Sequence, residues 1–367
     1  MDRIKRFIDV HVPVETCNFR CRYCYITHCR LFDKGLPTFR YSPDTVRRAL
    51  SRKRLGGLCM FNLCGGGETL LAPEVVDYAR ALLEEGHYVM VVTNGSITQA
   101  FDRFAAFPPA LLERLFFKFS YHFLQLRERG LTERFFANVR RMRDAGASFT
   151  VELTPSDEEI PFIDEIKAES LREVGAIPHI TVARDHHDAS VIPFLTKLPP
   201  EEYRKTWESF DSELFRFKYK VFLERRTEFC YAGDWTAFLN LGTGRLSQCY
   251  CAPYAVNILD DVEKPIPFKA IGHFCQQPHC YNAHAFMTFG VIPGRDDPTY
   301  EKMRNRVCLD KSEWLKPRMK AFMSQRLAEN NRPYSALRRL WTDAEMLLRV
   351  KAGPFLARIR KHIPGGK

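Results

Sequence analysis

The sequence predicts an α/β fold that begins with a partial (β/α)6 TIM-like barrel and continues into a small Cys-rich α+β domain and a basic helical tail. Two observations carry this prediction. The first 200 residues alternate short β-rich runs with amphipathic helical stretches, and parallel strands need such crossover helices. Residues 227 to about 310 are rich in Cys, Gly, Pro and aromatic residues, a composition typical of a small domain stabilised by more than its core.

Six strand candidates succeed one another in the first part of the chain, each separated from the next by a helical pattern. Helix ends carry suitable residues: Ser42 is a favoured N-cap, and Gly86 and Gly146 are favoured just beyond a last turn. Six βα units predict a parallel sheet that curves without closing fully. The predicted strands are residues 7–12, 58–63, 88–92, 116–121, 148–153 and 178–183.

The composition changes along the chain predict four parts. Residues 1–200 form the barrel, and residues 201–226 form one helical connector rich in charged and aromatic side chains. Residues 227–310 form the Cys-rich domain, in which residues 235–241 are the best strand candidate. Residues 311–367 form the tail, which we expect to be helical and basic.

The net charge of +11 lies in the tail, because 17 Lys and Arg accompany 6 Asp and Glu from Glu301 onward. A basic excess outside the barrel argues against a nucleic-acid partner. No segment reaches the roughly 18 apolar residues of a membrane span, and the first residues do not resemble a secretory signal, so we expect a cytoplasmic protein. The basic amphipathic segment 336–363 can bind a membrane surface, but docking on its own domain is favoured.

The 12 cysteines fall into two groups, one before residue 65 and one after residue 229. Disulfides rarely persist in the cytoplasm, so this clustering favours two metal sites. In the first group, Cys17, Cys21 and Cys24 form a CxxxCxxC pattern directly after the first strand. Three thiolates on one loop can bind three irons of a 4Fe–4S cluster and leave the fourth open, whereas structural zinc requires four ligands.

Two further motifs follow the next two strands. Cys64 is followed by Gly65, Gly66, Gly67 and Glu68, and glycines at such a place let backbone approach a ligand closely. The third strand ends in the sequence Thr-Asn-Gly at residues 93–95. Carboxyl ends of barrel strands are where barrel enzymes place their chemistry, although an ordinary βα turn would also explain the glycines.

Over residues 5–185 these motifs resemble the radical S-adenosylmethionine superfamily. Cys17, Cys21 and Cys24 match its cluster motif, and an aromatic residue before the third cysteine, here Tyr23, is usual. The resemblance implies a 4Fe–4S cluster and S-adenosylmethionine as cofactors. The cofactor-binding residues that it implies are Tyr23, Gly65, Gly66, Gly67, Glu68, Asn94 and Ser120.

The second cysteine group resembles the opening of a SPASM or twitch extension, which implies one auxiliary 4Fe–4S cluster. The predicted ligands are Cys230, Cys249, Cys275 and Cys280, and a zinc ribbon using the same four cysteines is the alternative. Cys251 is then spare. If residues 249–251 are extended, both sulfurs face one side, so either cysteine can be the ligand. The spare thiol is a candidate hydrogen donor to a substrate radical.

The resemblance implies an oxidoreductase or isomerase that forms a 5′-deoxyadenosyl radical and removes a hydrogen atom from a substrate, leading to epimerisation or dehydrogenation. Only 16 residues precede Cys17, which leaves no room for a leader-binding domain and favours a small molecule such as a sugar. Glu152 and Arg184, at predicted strand ends, are candidate substrate ligands. The alternatives are a peptide maturase and a non-catalytic iron–sulfur or zinc scaffold. An enzyme would need an electron donor such as flavodoxin or ferredoxin.

Overall fold

The computed structural model describes residues 2–32, 35–187, 192–250 and 254–361, with side chains in the last segment described to residue 349. Its core is a nine-stranded sheet with the strand order β6-β5-β4-β3-β2-β1-β7-β8-β9. Strands β1 to β6 are parallel, and each is paired with its neighbour in chain order. The predicted α/β class with a parallel core is therefore confirmed.

The strands lie close to their predicted positions, with differences of a few residues at the ends. Their bounds are β1 Ile4–Val12, β2 Leu58–Gly65, β3 Tyr88–Thr93, β4 Leu115–Ser120, β5 Ser148–Leu153, β6 His179–Ile180, β7 Thr236–Asn240, β8 Arg245–Ser247 and β9 Ala255–Asn257.

Helices connect the parallel strands and continue through the C-terminal part of the chain. Their bounds are α1 Tyr25–Cys29, α2 Pro43–Ala49, α3 Arg52–Leu55, α4 Val75–Glu84, α5 Thr98–Ala105, α6 Pro109–Leu112, α7 Phe123–Glu128, α8 Thr132–Ala145, α9 Ile163–Val174, α10 Pro200–Glu208, α11 Glu213–Val221, α12 Ala283–Phe286, α13 Pro317–Met323, α14 Leu327–Asn330 and α15 Ala336–Lys361. Among the described residues, no helix is long and apolar enough to span a bilayer.

The two faces of the parallel sheet pack against different partners. Side chains such as Ile8, Phe61 and Val91 point to one face and share a core with the crossover helices. On the opposite, inner face, Phe7 and Met60 pack against side chains from residues 286–334. Neighbouring residues of a strand point to opposite faces of a sheet, so the positions of Phe7 and Met60 also determine which polar strand residues lie on the inner face.

Strand β7 differs from the prediction, which placed it within the separate Cys-rich domain. It pairs in parallel with β1, from Phe7 opposite Thr236 to His11 opposite Asn240, so it extends the main sheet. Strands β8 and β9 then continue antiparallel. Sequence alone does not reveal this pairing because β1 and β7 are separated by more than 200 residues.

The predicted single connector helix is divided into α10 and α11. Ser212 is the N-cap of α11, because its hydroxyl accepts a hydrogen bond from the backbone N–H of Phe215. The same hydroxyl accepts from the N–H of Ile180 in β6 at 3.0 Å. The break thus lets α11 pack against β6 and α12 rather than continue into solvent.

Candidate functional site

The loop that carries Cys17, Cys21 and Cys24 is called the cysteine loop below, and residues 65–68 are called the glycine segment. Backbone hydrogen bonds join the two at the carboxyl ends of β1 and β2. The N–H of Gly67 donates to the carbonyl of Val14 at 2.6 Å, and the N–H of Glu68 donates to the carbonyl of Thr16 at 2.9 Å. A Cβ on Gly67 would lie 1.8 Å from the Thr16 carbonyl oxygen. Only glycine fits there, and the segment directly positions the residue before Cys17.

Hydrogen bonds of Glu68 connect the glycine segment to the end of β3. The residue is buried, and its carboxylate accepts hydrogen bonds from the Thr93 hydroxyl at 2.6 Å and from the N–H of Asn94 at 2.7 Å. Asn94 in turn donates to the side-chain oxygen of Asn18, which lies in the cysteine loop, at 2.8 Å. Contacts inside the protein therefore occupy the Glu68 carboxylate, and its direct role toward a cofactor stays a prediction.

Aromatic side chains of the cysteine loop reach the neighbouring strand ends. The Tyr23 hydroxyl lies 2.6 Å from Nδ1 of His122, two residues after Ser120 at the end of β4. Burial lowers the pKa of His122 to about 3, so its ring is neutral and can accept this hydrogen bond. The Tyr25 hydroxyl donates to the carbonyl of Gly66 at 2.8 Å. The structure thus brings together most of the predicted cofactor-binding residues.

The three thiols of the first motif lie in a partly desolvated environment. Burial raises the pKa of Cys17 to about 11 and raises those of Cys21 and Cys24 as well, and the charges of the three groups act on one another. Uncoordinated thiolates would be costly here, so a metal that binds thiolates fits this loop.

The four predicted auxiliary ligands line one cavity. Cys230, Cys249, Cys275 and Cys280 all face it, together with the side chain of Arg226. Cys230 is placed by two backbone hydrogen bonds with Gly272, which bring it close to the segment that carries Cys275 and Cys280.

Among the described residues, three His, Cys, Asp or Glu ligand atoms that all lie within 4.8 Å of one another are found at His28, Asp185 and His187. A structural zinc binds all four of its ligands at one ion, whereas a 4Fe–4S cluster binds each thiolate to a different iron. The identity of the metal at the four auxiliary cysteines stays a prediction.

Cys249 does not lie on an extended strand, which the expected shared face with Cys251 required. Strand β8 ends at Ser247, and Cys249 lies in a bend beyond it, so the alternation of an extended strand stops earlier. Cys251 itself lies outside the described residues, and its role as hydrogen donor or alternative ligand stays a prediction.

Asp9 is a buried carboxylate on the inner face that sequence reasoning missed. Hydrogen bonds reach it from the Tyr250 hydroxyl, from the Asn282 side chain at 2.9 Å and from the Asn62 side chain at 2.8 Å. Desolvation raises its pKa despite these donors. The signal in the sequence was a lone acid at an inward position of an apolar strand. The contact with Tyr250 places Asp9 beside the auxiliary cysteines.

Glu152, predicted as a substrate ligand, lies 4% exposed within a buried ion-pair cluster. Its carboxylate is 3.3 Å from the Lys118 ammonium of β4 and forms an ion pair with Arg304, whose side chain is 0% exposed. Burial lowers the pKa of Lys118 to about 8 and that of Arg304 to about 9. These contacts give Glu152 a structural role that joins the barrel to the C-terminal part of the chain.

Replacing Glu152 by Gln is expected to destabilise the fold by about 3 kcal/mol or more, because it leaves the Arg304 guanidinium buried without its carboxylate. Denaturant unfolding measures the change. Glu158→Gln is the matched control, since Glu158 pairs with Arg22 at the surface and contributes less than about 1 kcal/mol. Equal unfolding midpoints for both variants would contradict the structural role of the buried cluster.

Arg184, the other predicted substrate ligand, lies four residues beyond the end of the short strand β6. It borders a small cavity together with Lys218 and His279. A larger cavity of about 480 Å³ opens beside Cys21 and Tyr23, between α7 and the segments that follow β5 and β6. Both cavities lie toward the carboxyl ends of the parallel strands.

The part of the chain from residue 12 to 159 matches the family model described as the Radical SAM superfamily. This match supports an enzyme that uses S-adenosylmethionine and an iron–sulfur cluster. It includes all of the residues of the cysteine loop and the glycine segment. A search of curated proteins found no match.

Similar chains were also found among solved structures. SuiB from Streptococcus suis is 11% identical with a TM-score of 0.48, and the match covers 72% of this chain and 66% of SuiB. A structure of anSMEcpe with AdoMet and the Cp18Cys peptide is 14% identical with a TM-score of 0.45, covering 96% of this chain and 98% of that one. BtrN with AdoMet and 2-DOIA is 14% identical with a TM-score of 0.31, covering 72% and 76%. The chain thus spans slightly less than two thirds of SuiB.

Proposed function

We propose that this protein is a radical S-adenosylmethionine enzyme that removes a hydrogen atom from a small-molecule substrate. The observation that carries the proposal is the convergence of the cysteine loop, the glycine segment and the Thr-Asn-Gly turn at one rim of the sheet. When bound at that rim, a 4Fe–4S cluster with one open iron supplies the electron that cleaves S-adenosylmethionine to the 5′-deoxyadenosyl radical.

The residues of the rim have separate tasks in this proposal. Cys17, Cys21 and Cys24 hold the cluster, while Gly66 and Gly67 let the glycine segment pack closely against Glu15 and Thr16 and so place the loop and the methionyl end of the cofactor side by side. The cavity of about 480 Å³ beside Tyr23 has a volume suited to the nucleoside end. Asn18 and His122 fix the loop against β3 and β4 and so keep the reacting centre in place.

The auxiliary site belongs to the same proposal. Cys230, Cys249, Cys275 and Cys280, which line one cavity, would hold a second 4Fe–4S cluster. Tyr250 lines the same cavity, and its hydroxyl donates a hydrogen bond to the buried Asp9 of β1. If these cysteines hold a cluster, it would supply an acceptor for the electron that a substrate radical loses, and the Asp9 carboxylate would be the candidate acceptor of the accompanying proton, which would make the reaction a dehydrogenation.

Two other outcomes remain within the proposal. Return of a hydrogen atom from a thiol, with Cys251 as the candidate, would make the reaction an epimerisation. A ribosomal peptide in place of a small molecule would make the protein a peptide maturase. Incubation with each substrate class in deuterated buffer separates these outcomes, because epimerisation alone places solvent deuterium on the attacked carbon.

Anaerobic reconstitution tests the cofactor content directly. The wild-type chain is expected to bind about eight irons, as two cubanes require, and to form 5′-deoxyadenosine from S-adenosylmethionine under reducing conditions. Iron analysis and chromatography measure the two quantities. Stoichiometric zinc with about four irons would refute the auxiliary cluster, and a chain that forms no 5′-deoxyadenosine would refute the enzyme and leave the scaffold alternative.

A further inference from the structure

Basic side chains from three separate elements meet at one side of the barrel interior. Lys118 comes from β4, Arg184 follows β6, and Lys218 comes from α11. Arg184, Lys218 and His279 line one cavity there. The charges of Arg184 and Lys118 both act on Lys218, so the three cations are close enough to repel one another.

These cations have little acidic compensation in the part of the chain that the structure describes. Lys218 donates to the Thr181 hydroxyl at 2.6 Å, and neither it nor Arg184 forms an ion pair with a described carboxylate. Glu152 is already held by Lys118 and Arg304. His279 is 3% exposed, and neither ring nitrogen has a hydrogen-bond partner among the described residues.

Counted over the described residues alone, the charge balance of this region is therefore positive. Four cations among them, which are Lys118, Arg184, Lys218 and Arg304, accompany two buried acids, Asp9 and Glu152. Burying unpaired charge is costly, so such a group needs a functional reason. An auxiliary cluster would offset part of the charge of Arg184, which lies near Cys280, but no auxiliary cysteine acts on Lys218.

We infer that Arg184, Lys218 and His279 form a binding site for an anionic group of the substrate, a carboxylate or a phosphate. This inference rests on the proposed function, because it names the substrate class of the same barrel. Arg184 offers a planar pair of donors, Lys218 adds a compact charge, and His279 supplies a further ring nitrogen. An anion there would contact Arg184 after β6, Lys218 of α11 and His279 beside Cys280. These contacts would hold the rest of the substrate inside the barrel.

The test uses reconstituted protein, titrated anaerobically at constant ionic strength with inorganic phosphate and, separately, with acetate. Saturable binding of one of the two anions is expected by calorimetry, and the anion that binds identifies the chemistry. Lys218→Met is expected to weaken that binding at least tenfold. Lys220→Met is the matched control, because Lys220 is exposed on the same helix and should leave the affinity unchanged.

A second measurement separates lost binding from lost folding. Lys218→Met removes a half-buried, repelled charge, so its unfolding midpoint without anion is expected to rise above that of the wild type, and it should no longer rise when the anion is added. No saturable binding of either anion by the wild type, or equal binding by both variants, would overturn the inference. The same wild-type preparation is assayed for 5′-deoxyadenosine without substrate: formation there leaves the proposed function standing, whereas its failure refutes that function separately.

Discussion

A variant with Cys17, Cys21 and Cys24 all replaced by Ala is expected to lose cleavage of S-adenosylmethionine entirely while keeping about four irons per chain. The triple variant removes all three thiols of the loop, whereas the four auxiliary cysteines lie in a separate cavity. Iron analysis and 5′-deoxyadenosine formation after anaerobic reconstitution measure the result.

Cys29→Ala is the matched control for this loss. Cys29 lies five residues after Cys24 but is exposed, and its thiol donates a hydrogen bond to the His186 carbonyl. The control should keep about eight irons and full cleavage. A triple variant that still cleaves the cofactor would show that the loop does not hold the reactive cluster.

Replacing Gly67 by Ala is expected to reduce formation of 5′-deoxyadenosine by about 100-fold, a loss typical of a displacement of about 1 Å at a reacting centre. The new Cβ would lie 1.8 Å from the Thr16 carbonyl oxygen, and this backbone atom leads directly into Cys17. The cysteine loop must therefore move away from the glycine segment. Equilibrium binding of S-adenosylmethionine and the rate of its cleavage measure the effect.

The neighbouring Gly66→Ala provides the comparison. A Cβ there would approach the end of the Glu15 side chain at 2.1 Å, and a flexible carboxylate can rotate away. We expect less than a tenfold loss for this variant. Equal losses for both variants would show that contact with the cofactor, rather than the packing of Gly67 on Thr16, explains the glycine segment.

The positions of the first five parallel strands were predictable because each is a local pattern of apolar residues between turns and amphipathic helices. The convergence of the cysteine loop with the glycine segment was predictable as well, since carboxyl ends of parallel strands meet at one edge. The pairing of β7 with β1 was missed, because a five-residue strand gives no local signal of a partner more than 200 residues away.

The inner face of the barrel was the least predictable part of the site. Glu152 was predicted as a substrate ligand because it ends a strand, yet Arg304, which lies outside the predicted barrel, pairs with it. Lys118 was overlooked although it is the single charge in an apolar strand. Lys218 was predicted to lie in a connector helix. The break before α11 changes the direction of the chain, and Lys218 reaches the Thr181 hydroxyl in the barrel interior.

The sequence by itself determined the order of strands and helices, the two groups of cysteines and the glycines beside the first group, because backbone propensity and ligand spacing act over a few neighbouring residues. The tertiary structure alone decided which charges face one another. Asp9, Lys118, Glu152, Arg184, Lys218 and Arg304 come from distant segments, and only sheet register and helix packing bring them into one region. The strength of an electrostatic interaction depends on the distance between the charges and on their burial, and the spacing of residues along the chain determines neither.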